Sequence, residues 1–271
     1  MEKLAAKPVE EAVQFLKKFS PEVPDAAIVL GSGVKVLEDL EECKNISYEE
    51  VFGISPGVVG HSGSISIGRV GKKLIAVLRG RFHLYEGHPW SDVTLPAQVM
   101  VNWGVKQLFL TNAAGGINQN FKVGDLMLIT GYRDHLNPDF KKTGVLSQLK
   151  TAPVNCQNAL TDKILEHSSR LSREDKSFRA MQAGVYIGLL GPNYETLAEV
   201  EMLKYLKCDA VGMSTVPEIL ACKGSGTTPA AVSVITNVWN PDDLIGGHEE
   251  VLEAAKEASE RLDKLFRSCL T

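Results

Sequence analysis

The sequence lacks any long apolar run. Hydrophobic residues make up 44% of its 271 positions, yet no stretch reaches the about 18 consecutive apolar residues that a membrane-spanning helix needs. The first eight residues, Met1 to Pro8, also lack the apolar core of a secretion signal. We therefore expect no membrane partner and a cytoplasmic location.

Cysteines are few and none are arranged as metal ligands or as a disulfide framework. The five residues form no C-x-x-C pair and are odd in number, which favours free thiols in a reducing compartment over structural zinc. No metal is expected. The cysteines are Cys43, Cys156, Cys208, Cys222 and Cys269.

A strong excess of one charge is also missing. The formal net charge is -4, with 23% charged residues, which gives no general electrostatic footprint for DNA or RNA. Any anion must be bound by local groups. These features predict small-molecule partners and no nucleic acid.

Short apolar runs alternate with helical periodicity along the chain. This alternation predicts an α/β domain with a largely parallel sheet, and no break in it argues for two domains. The predicted strands are 26–30, 74–78, 108–110, 126–129, 185–190, 210–211 and 231–235. The predicted helices are 9–19, 95–103, 160–171, 197–206 and 251–266. Residues 141–158 are polar and aperiodic and predict a surface loop.

Small or polar residues follow five of the predicted strands, as in Gly31-Ser32-Gly33 and Thr236-Asn237. In open α/β sheets, ligands bind outside the carboxyl ends of the strands. Glycine-rich turns there let backbone N–H groups approach an anion. The sequence therefore predicts one crevice shared by these strand ends.

Gly80 to Gly87 is the most informative segment, because it carries Arg81, His83 and Tyr85 at alternate positions. If the backbone is extended, these three side chains project from one face. Together they offer a planar guanidinium suited to phosphate oxygens, an imidazole, and an aromatic ring that carries a hydroxyl group. A solvated edge strand is the alternative interpretation.

Four known nucleotide-binding or catalytic motifs are incomplete or absent. The Gly31 turn starts like a dinucleotide fingerprint, but Val36 occupies the third glycine position. Residues 68–73 lack the spacing of a phosphate loop and predict a hairpin turn. His248 begins a zinc-protease pattern that ends at Leu252 instead of a second histidine. No G-x-S-x-G elbow supports a hydrolase triad.

Seven segments taken together, in this order, resemble the trimeric purine nucleoside phosphorylases, and the resemblance runs from about Ala27 to Leu252. It implies a single-domain α/β fold over residues 1–271, with a distorted, mostly parallel or mixed central sheet flanked by helices. It also implies a homotrimer that cleaves purine nucleosides reversibly with phosphate, the only co-substrate, and without a cofactor. The segments are Leu30 to Gly33, Gly60 to Gly63, Gly80 to Gly87, Thr111 to Gly116, Gly191 to Thr196, Val211 to Glu218 and Thr236-Asn237.

The resemblance also implies site residues. Phosphate would be bound by Ser32, His61, Arg81, His83, Ala113 and Ser214, with Glu86 orienting the neighbouring imidazole. Ribose would contact Tyr85, Met213 and His248. The base would contact Tyr194, Glu195, Val211 and Asn237. Catalytic roles would fall to His83, Glu195 and Asn237. From the sequence itself, Thr196 and Glu199 predict a capping box that fixes Glu195 just before a helix.

Two departures from the family pattern matter. Val238-Trp239 follows Asn237 where many relatives have Lys or Met, which predicts looser base selectivity. Residues 138–154 are shorter than usual and lack the Arg-Phe run whose Phe reaches the neighbouring subunit's sugar site, with Ala152-Pro153 a doubtful counterpart.

Two rival functions remain. A methylthioadenosine phosphorylase would need an acid in place of Asn237 and an apolar residue in place of His248. Both positions therefore argue against that function. A catalytically silent nucleoside- or phosphate-binding protein is disfavoured by the full set of phosphate, sugar and base residues.

Overall fold

Ten strands form one mixed sheet in the computed structural model, which describes residues 5–58, 60–136, 151–239 and 248–271. The strands are β1 (Ala26–Val29), β2 (Glu41–Ser47), β3 (Ser64–Val70), β4 (Lys73–Arg79), β5 (Gln107–Gly116), β6 (Leu126–Asp134), β7 (Val154–Asn155), β8 (Gln182–Gly188), β9 (Ala210–Gly212) and β10 (Thr228–Val238). The helices in the described ranges are α1 (Val9–Phe19), α2 (Tyr48–Phe52), α3 (Trp90–Trp103), α4 (Ala159–Glu174), α5 (Leu197–Tyr205), α6 (Val216–Ala221) and α7 (His248–Leu270).

Half of the sheet closes on itself. Strand β10 pairs in parallel with β5 and antiparallel with β6, while β8 and β9 complete the circuit from β6 back to β5. From β5 the sheet continues outward through β1, β4, β3 and β2. The predicted fold class is confirmed, with a distorted mixed sheet. Antiparallel pairing is more extensive than the apolar runs suggested.

The two faces of the sheet are covered by separate apolar cores. Strand β1 shows why: Ala27 and Val29 belong to one cluster, and Ala26 and Ile28 belong to the other. Successive side chains of a strand point to opposite faces. A strand buried on both faces is therefore a continuous apolar run, which is how β1 could be predicted from sequence.

Several boundaries differ from the predictions. Helix α1 has the predicted bounds, and the hairpin turn at 71–72 joins β3 to β4 as expected. Most predicted strands are longer in the structure, and β2, β3, α2 and α6 were not predicted. Within the predicted loop at 141–158, residues 154–155 instead pair with β6, and residues 141–150 lie outside the described ranges.

Candidate active site

A cavity lies at the carboxyl ends of β5, β9 and β10 and beside the turns that follow β1 and β4. Its empty volume is about 690 Å³, counting space open to solvent. Its lining includes these predicted site residues: Ser32, Arg81, His83, Tyr85, Ala113, Tyr194, Glu195, Val211, Met213, Ser214 and Asn237. The predicted crevice is therefore present.

Three predicted residues are placed differently. His61 does not line this cavity, but its Nε2 lies 3.2 Å from Oγ of Ser32, which does. Glu86 lies behind His83. His248 opens helix α7, but its side chain lies outside the described part of the chain.

The segment after β4 is not a strand, contrary to the extended backbone considered above. Strand β4 ends at Arg79, and residues 84–86 form a short 3-10 turn. The turn closes because Oε1 of Glu86 accepts from the backbone N–H of His83 over 2.9 Å. Arg81, His83 and Tyr85 still share the cavity, with the His83 and Tyr85 rings stacked at 4.7 Å.

Glu86 holds the imidazole of His83. Oε1 lies 2.9 Å from Nδ1 of His83, and Oε2 accepts from the N–H of Gly57 over 2.7 Å. Burial lowers the pKa of His83, with Glu86 opposing the shift. Burial pushes the pKa of Glu86 upward, but the bonds from His83 and Gly57 outweigh it and hold that pKa below its usual value. A neutral imidazole beside a carboxylate results, with its orientation fixed.

Arg81 is the buried cation of the site, with 2% of its side chain exposed. Its Nε donates to Oε1 of Glu218 over 2.6 Å, and its Nη1 donates to the carbonyl of Thr111 over 2.5 Å. Its Nη2 has no hydrogen-bond partner in the part of the chain that the structure describes. One donor group of a guanidinium that lines the cavity therefore remains available to an anion.

The turn that carries Ser214 is strained. Thr215 has φ of 73° and ψ of -44°, and the N–H of Val216 donates to the carbonyl of Ser214 over 2.8 Å, the pattern of a γ-turn that is rare for such a residue. Asn112 donates from Nδ2 to Oγ1 of Thr215 over 2.9 Å, and Oγ of Ser214 lies 3.1 Å from that same oxygen. Strain of this kind persists only where surrounding contacts over-determine it.

Sequence reasoning did not select Asn112, Thr215 or Glu218. All three belong to segments that carried the family resemblance, but their partners are distant in sequence. Asn112 and Thr215 are 103 positions apart, and Arg81 and Glu218 are 137 apart. Only the folded chain shows these pairs.

Glu195 also lines the cavity and lies just before helix α5, next to its N-cap residue Thr196. The predicted capping box is confirmed: Oγ1 of Thr196 accepts from the N–H of Glu199, and the Glu199 carboxylate accepts from the N–H of Thr196. Burial raises the pKa of Glu195. Tyr194 lies next to it, 41% exposed.

Asn237 lies near the end of β10, beside Gly115 of β5. A Cβ on Gly115 would lie 3.4 Å from Nδ2 of Asn237, and Oγ1 of Thr236 lies 3.3 Å from Oδ1. The chain then continues to Trp239, whose ring is covered by the ammonium of Lys204 at 4.0 Å. A hydrogen-bonding amide and a carboxylate thus line the same cavity as Arg81.

Helix α7 packs directly on the turn that carries Ser32. A Cβ on Gly33 would lie 2.9 Å from the carbonyl oxygen of Leu252, and φ there is +73°. The Leu252 side chain also closes on Gly60, whose Cβ would lie 2.9 Å from it. Glycine at both positions allows this approach.

The described ranges contain no group of three or more His, Cys, Asp or Glu side chains arranged to hold a metal ion. Within the same ranges, no helix is long and apolar enough to cross a bilayer.

Comparison with known proteins places the chain and its fold in a class of proteins. The model of the phosphorylase superfamily matches residues 25–271. Purine nucleoside phosphorylase 1 of Bacillus subtilis (strain 168) is 36% identical over 268 residues, covering 96% of each chain. Purine nucleoside phosphorylase of Bos taurus is 35% identical, covering 94% of this chain and 91% of its own.

Among solved structures, a purine nucleoside phosphorylase of Schistosoma mansoni in complex with inosine is similar, with a TM-score of 0.80. Its sequence identity is 30%, and the match covers 97% of this chain and 95% of that one. The chain belongs to the purine nucleoside phosphorylase family of the phosphorylase superfamily.

Proposed function

We propose that this enzyme catalyses the reversible phosphorolysis of 6-oxopurine ribonucleosides and deoxyribonucleosides, such as inosine and guanosine. The products are the free base and ribose or deoxyribose 1-phosphate. The observation that carries the proposal is one cavity lined by Arg81, whose Nη2 has no partner in the described part of the chain, and by Glu195 and Asn237. The family membership supports the same reaction.

The proposed residue roles fall into three sets, one each for phosphate, ribose and base. The phosphate set is Ser32, His61, Arg81, His83, Ala113 and Ser214. The ribose set is Tyr85, Met213 and His248. The base set is Tyr194, Glu195, Val211 and Asn237. Glu86 orients His83, and no metal or organic cofactor takes part.

The mechanism follows from the charges that develop. Breaking the glycosidic bond creates an oxocarbenium-like ribose and a purine that gains electron density, so both ends need stabilisation in the transition state. Phosphate stabilises the ribose as a counter-ion and then attacks it as the nucleophile. Asn237 bonds N7 of the departing purine, and Glu195 accepts from N1–H. No covalent enzyme intermediate is required.

We propose further that the enzyme is a cytoplasmic homotrimer. The five cysteines are all free thiols, which suits a reducing compartment.

The reaction type is tested by incubating the enzyme with inosine, with and without inorganic phosphate, and following free hypoxanthine and the sugar product. We expect base release to require phosphate and to yield ribose 1-phosphate, because the unpartnered donor group of Arg81 suits an anion. Equal release in phosphate-free buffer, with ribose as the product, would identify a hydrolase and refute the proposal.

A further inference from the structure

The proposed phosphate site contains a buried acid that no role above explains. Arg81 and Glu218 each expose 2% of their side chains. Taking two charges out of water is costly, and such a pair contributes little net stability compared with well-packed apolar residues. A carboxylate beside an anion site also repels the anion. Neither protein stability nor attraction of the anion therefore accounts for the Arg81–Glu218 pair.

The hydrogen bonds of the guanidinium suggest what the pair does. Glu218 accepts from Nε and the Thr111 carbonyl accepts from Nη1. Two of the three guanidinium nitrogens are therefore held, and the plane of the group is fixed. The third nitrogen, Nη2, is unpartnered in the described part of the chain and is buried. An arginine side chain that is held on two sides loses little further freedom when it binds a ligand.

The position of Glu218 links it to a second donor. It lies in the first turn of α6, four residues after Ser214, and the strained Thr215 lies between them. Its bond to Arg81 joins this helix to the segment that follows β4. The same contact therefore sets the guanidinium and the Ser214 turn relative to one another.

We propose that Glu218 is a positioning residue for the co-substrate anion. It fixes the guanidinium of Arg81 so that Nη2 is left to phosphate, and it anchors the turn that presents Ser214. This inference rests on the proposed function, because it takes phosphate as the anion.

Two substitutions distinguish the effect of the position of the Glu218 carboxylate from the effect of its charge. Glu218→Asp keeps the negative charge but withdraws the carboxylate by one methylene, so it no longer reaches Nε. Glu218→Gln removes the charge but keeps an acceptor oxygen at the same distance. Steady-state kinetics would give KM for phosphate at saturating inosine, KM for inosine at saturating phosphate, and kcat, with melting temperatures for both variants.

If Glu218 acts by position, Glu218→Asp raises KM for phosphate by about tenfold or more, the loss typical of a hydrogen bond to a charged group. KM for inosine should stay within about twofold in the same variant, since the base contacts are untouched. Glu218→Gln should stay within about threefold of wild type for phosphate, because the acceptor is retained. A larger defect in the Gln variant than in the Asp variant would refute positioning, and so would parallel changes in both KM values.

A pair of double variants keeps the test decisive if Glu218→Asp fails to fold. Arg81→Met/Glu218→Gln and Arg81→Met/Glu218→Met contain no buried unpaired charge, so both are expected to fold. With Arg81 gone, the residue at 218 should not affect KM for phosphate. A clear difference between the two would show that residue 218 acts on the anion without Arg81. The proposed function is checked separately by the phosphate requirement of the wild-type enzyme.

Discussion

Burial shifts the pKa values of two residues that line the cavity in opposite directions. It lowers the pKa of His83, which keeps the imidazole neutral, and it raises the pKa of Glu195. Both shifts come from the cost of a charge in a poorly solvated place. His83 is neutral and therefore adds no charge beside Arg81 and Glu218, whose opposite buried charges compensate each other.

Glu195 should therefore show a pH effect of known sign. Its pKa is raised in the folded state, so the stability it contributes is complete below its unfolded pKa and is lost as pH rises through the folded value. We expect Glu195→Gln to raise the melting temperature at pH 7 and to give no benefit in acid. Thermal melts of both proteins across the acidic range provide the measurement.

The same substitution should affect catalysis in the opposite direction. We expect a higher KM for inosine at pH 7, because a charged acceptor for N1–H is lost. The wild-type KM should rise as pH falls toward the pKa of Glu195, whereas the Gln variant should show a flatter profile. A variant that melts higher at pH 7 and keeps the wild-type KM at every pH would remove Glu195 from the base site.

Glu195, which is proposed to accept from N1–H, and Asn237 should together determine which purines react. Inosine and guanosine carry N1–H and adenosine does not, and sites built to bond a polar group can reject analogues lacking it by up to ~10⁴-fold. We expect 6-oxopurines to be preferred in kcat/KM and Asn237→Asp to shift the preference toward adenosine, whose 6-amino group needs an acceptor. Wild-type enzyme that cleaves adenosine as well as inosine would show that Val238 and its neighbours have altered the pocket.

At the scale of single elements, the cap of α5 is placed to support the base site. Thr196→Ala should cost about 1 kcal/mol of stability, the usual loss for an N-cap, and should raise KM for inosine because Glu195 loses its fixed neighbour. KM for phosphate should not change. Thermal melts and steady-state kinetics measure the two effects.

Helix α2 offers a matched control, because Ser47 and Glu50 form the same capping box and Ser47 does not line the cavity. Ser47→Ala should lower the melting temperature similarly and leave both KM values unchanged. An equal rise in KM for inosine in the two variants would mean that lost stability, and not the position of Glu195, is responsible.

How far the elements could be predicted depended on where their side chains are buried. Helix α1 has a clear apolar stripe and acidic residues in its first turn, so its bounds were predictable. Strand β2 was not, because five of its seven residues are exposed at the edge of the sheet and it carries no apolar pattern. The capping box of α5 is local and was predictable. The Arg81–Glu218 pair depends on the tertiary fold and was not.

At the scale of the whole molecule, the segment at 138–154 bears on whether a neighbouring subunit completes the ribose site. The shortened segment at 138–154 lies mostly outside the described ranges. From its sequence we predict that the ribose site is completed within one chain by Tyr85, Tyr194, Met213 and His248. Substituting several residues of 138–154 with Ser should leave KM for inosine nearly unchanged, since loops that contact no ligand tolerate change.

Steady-state kinetics together with the mass of the assembly in solution provide the test. A trimer is expected for both wild type and variant. A large rise in KM for inosine, in a variant that is still folded and trimeric, would show that this segment reaches a neighbouring sugar site.

The place of β10 in the sheet has a consequence for how the chain is made. It is the last of the described strands in sequence, yet it pairs with both β5 and β6. During synthesis, β5 and β6 therefore emerge from the ribosome well before the strand that joins them, and their edges stay open until more than four-fifths of the chain has been translated. Pairings this distant in sequence form slowly, and open edges invite association. Ribosome-bound chains that stop before Thr228 should therefore need chaperones most.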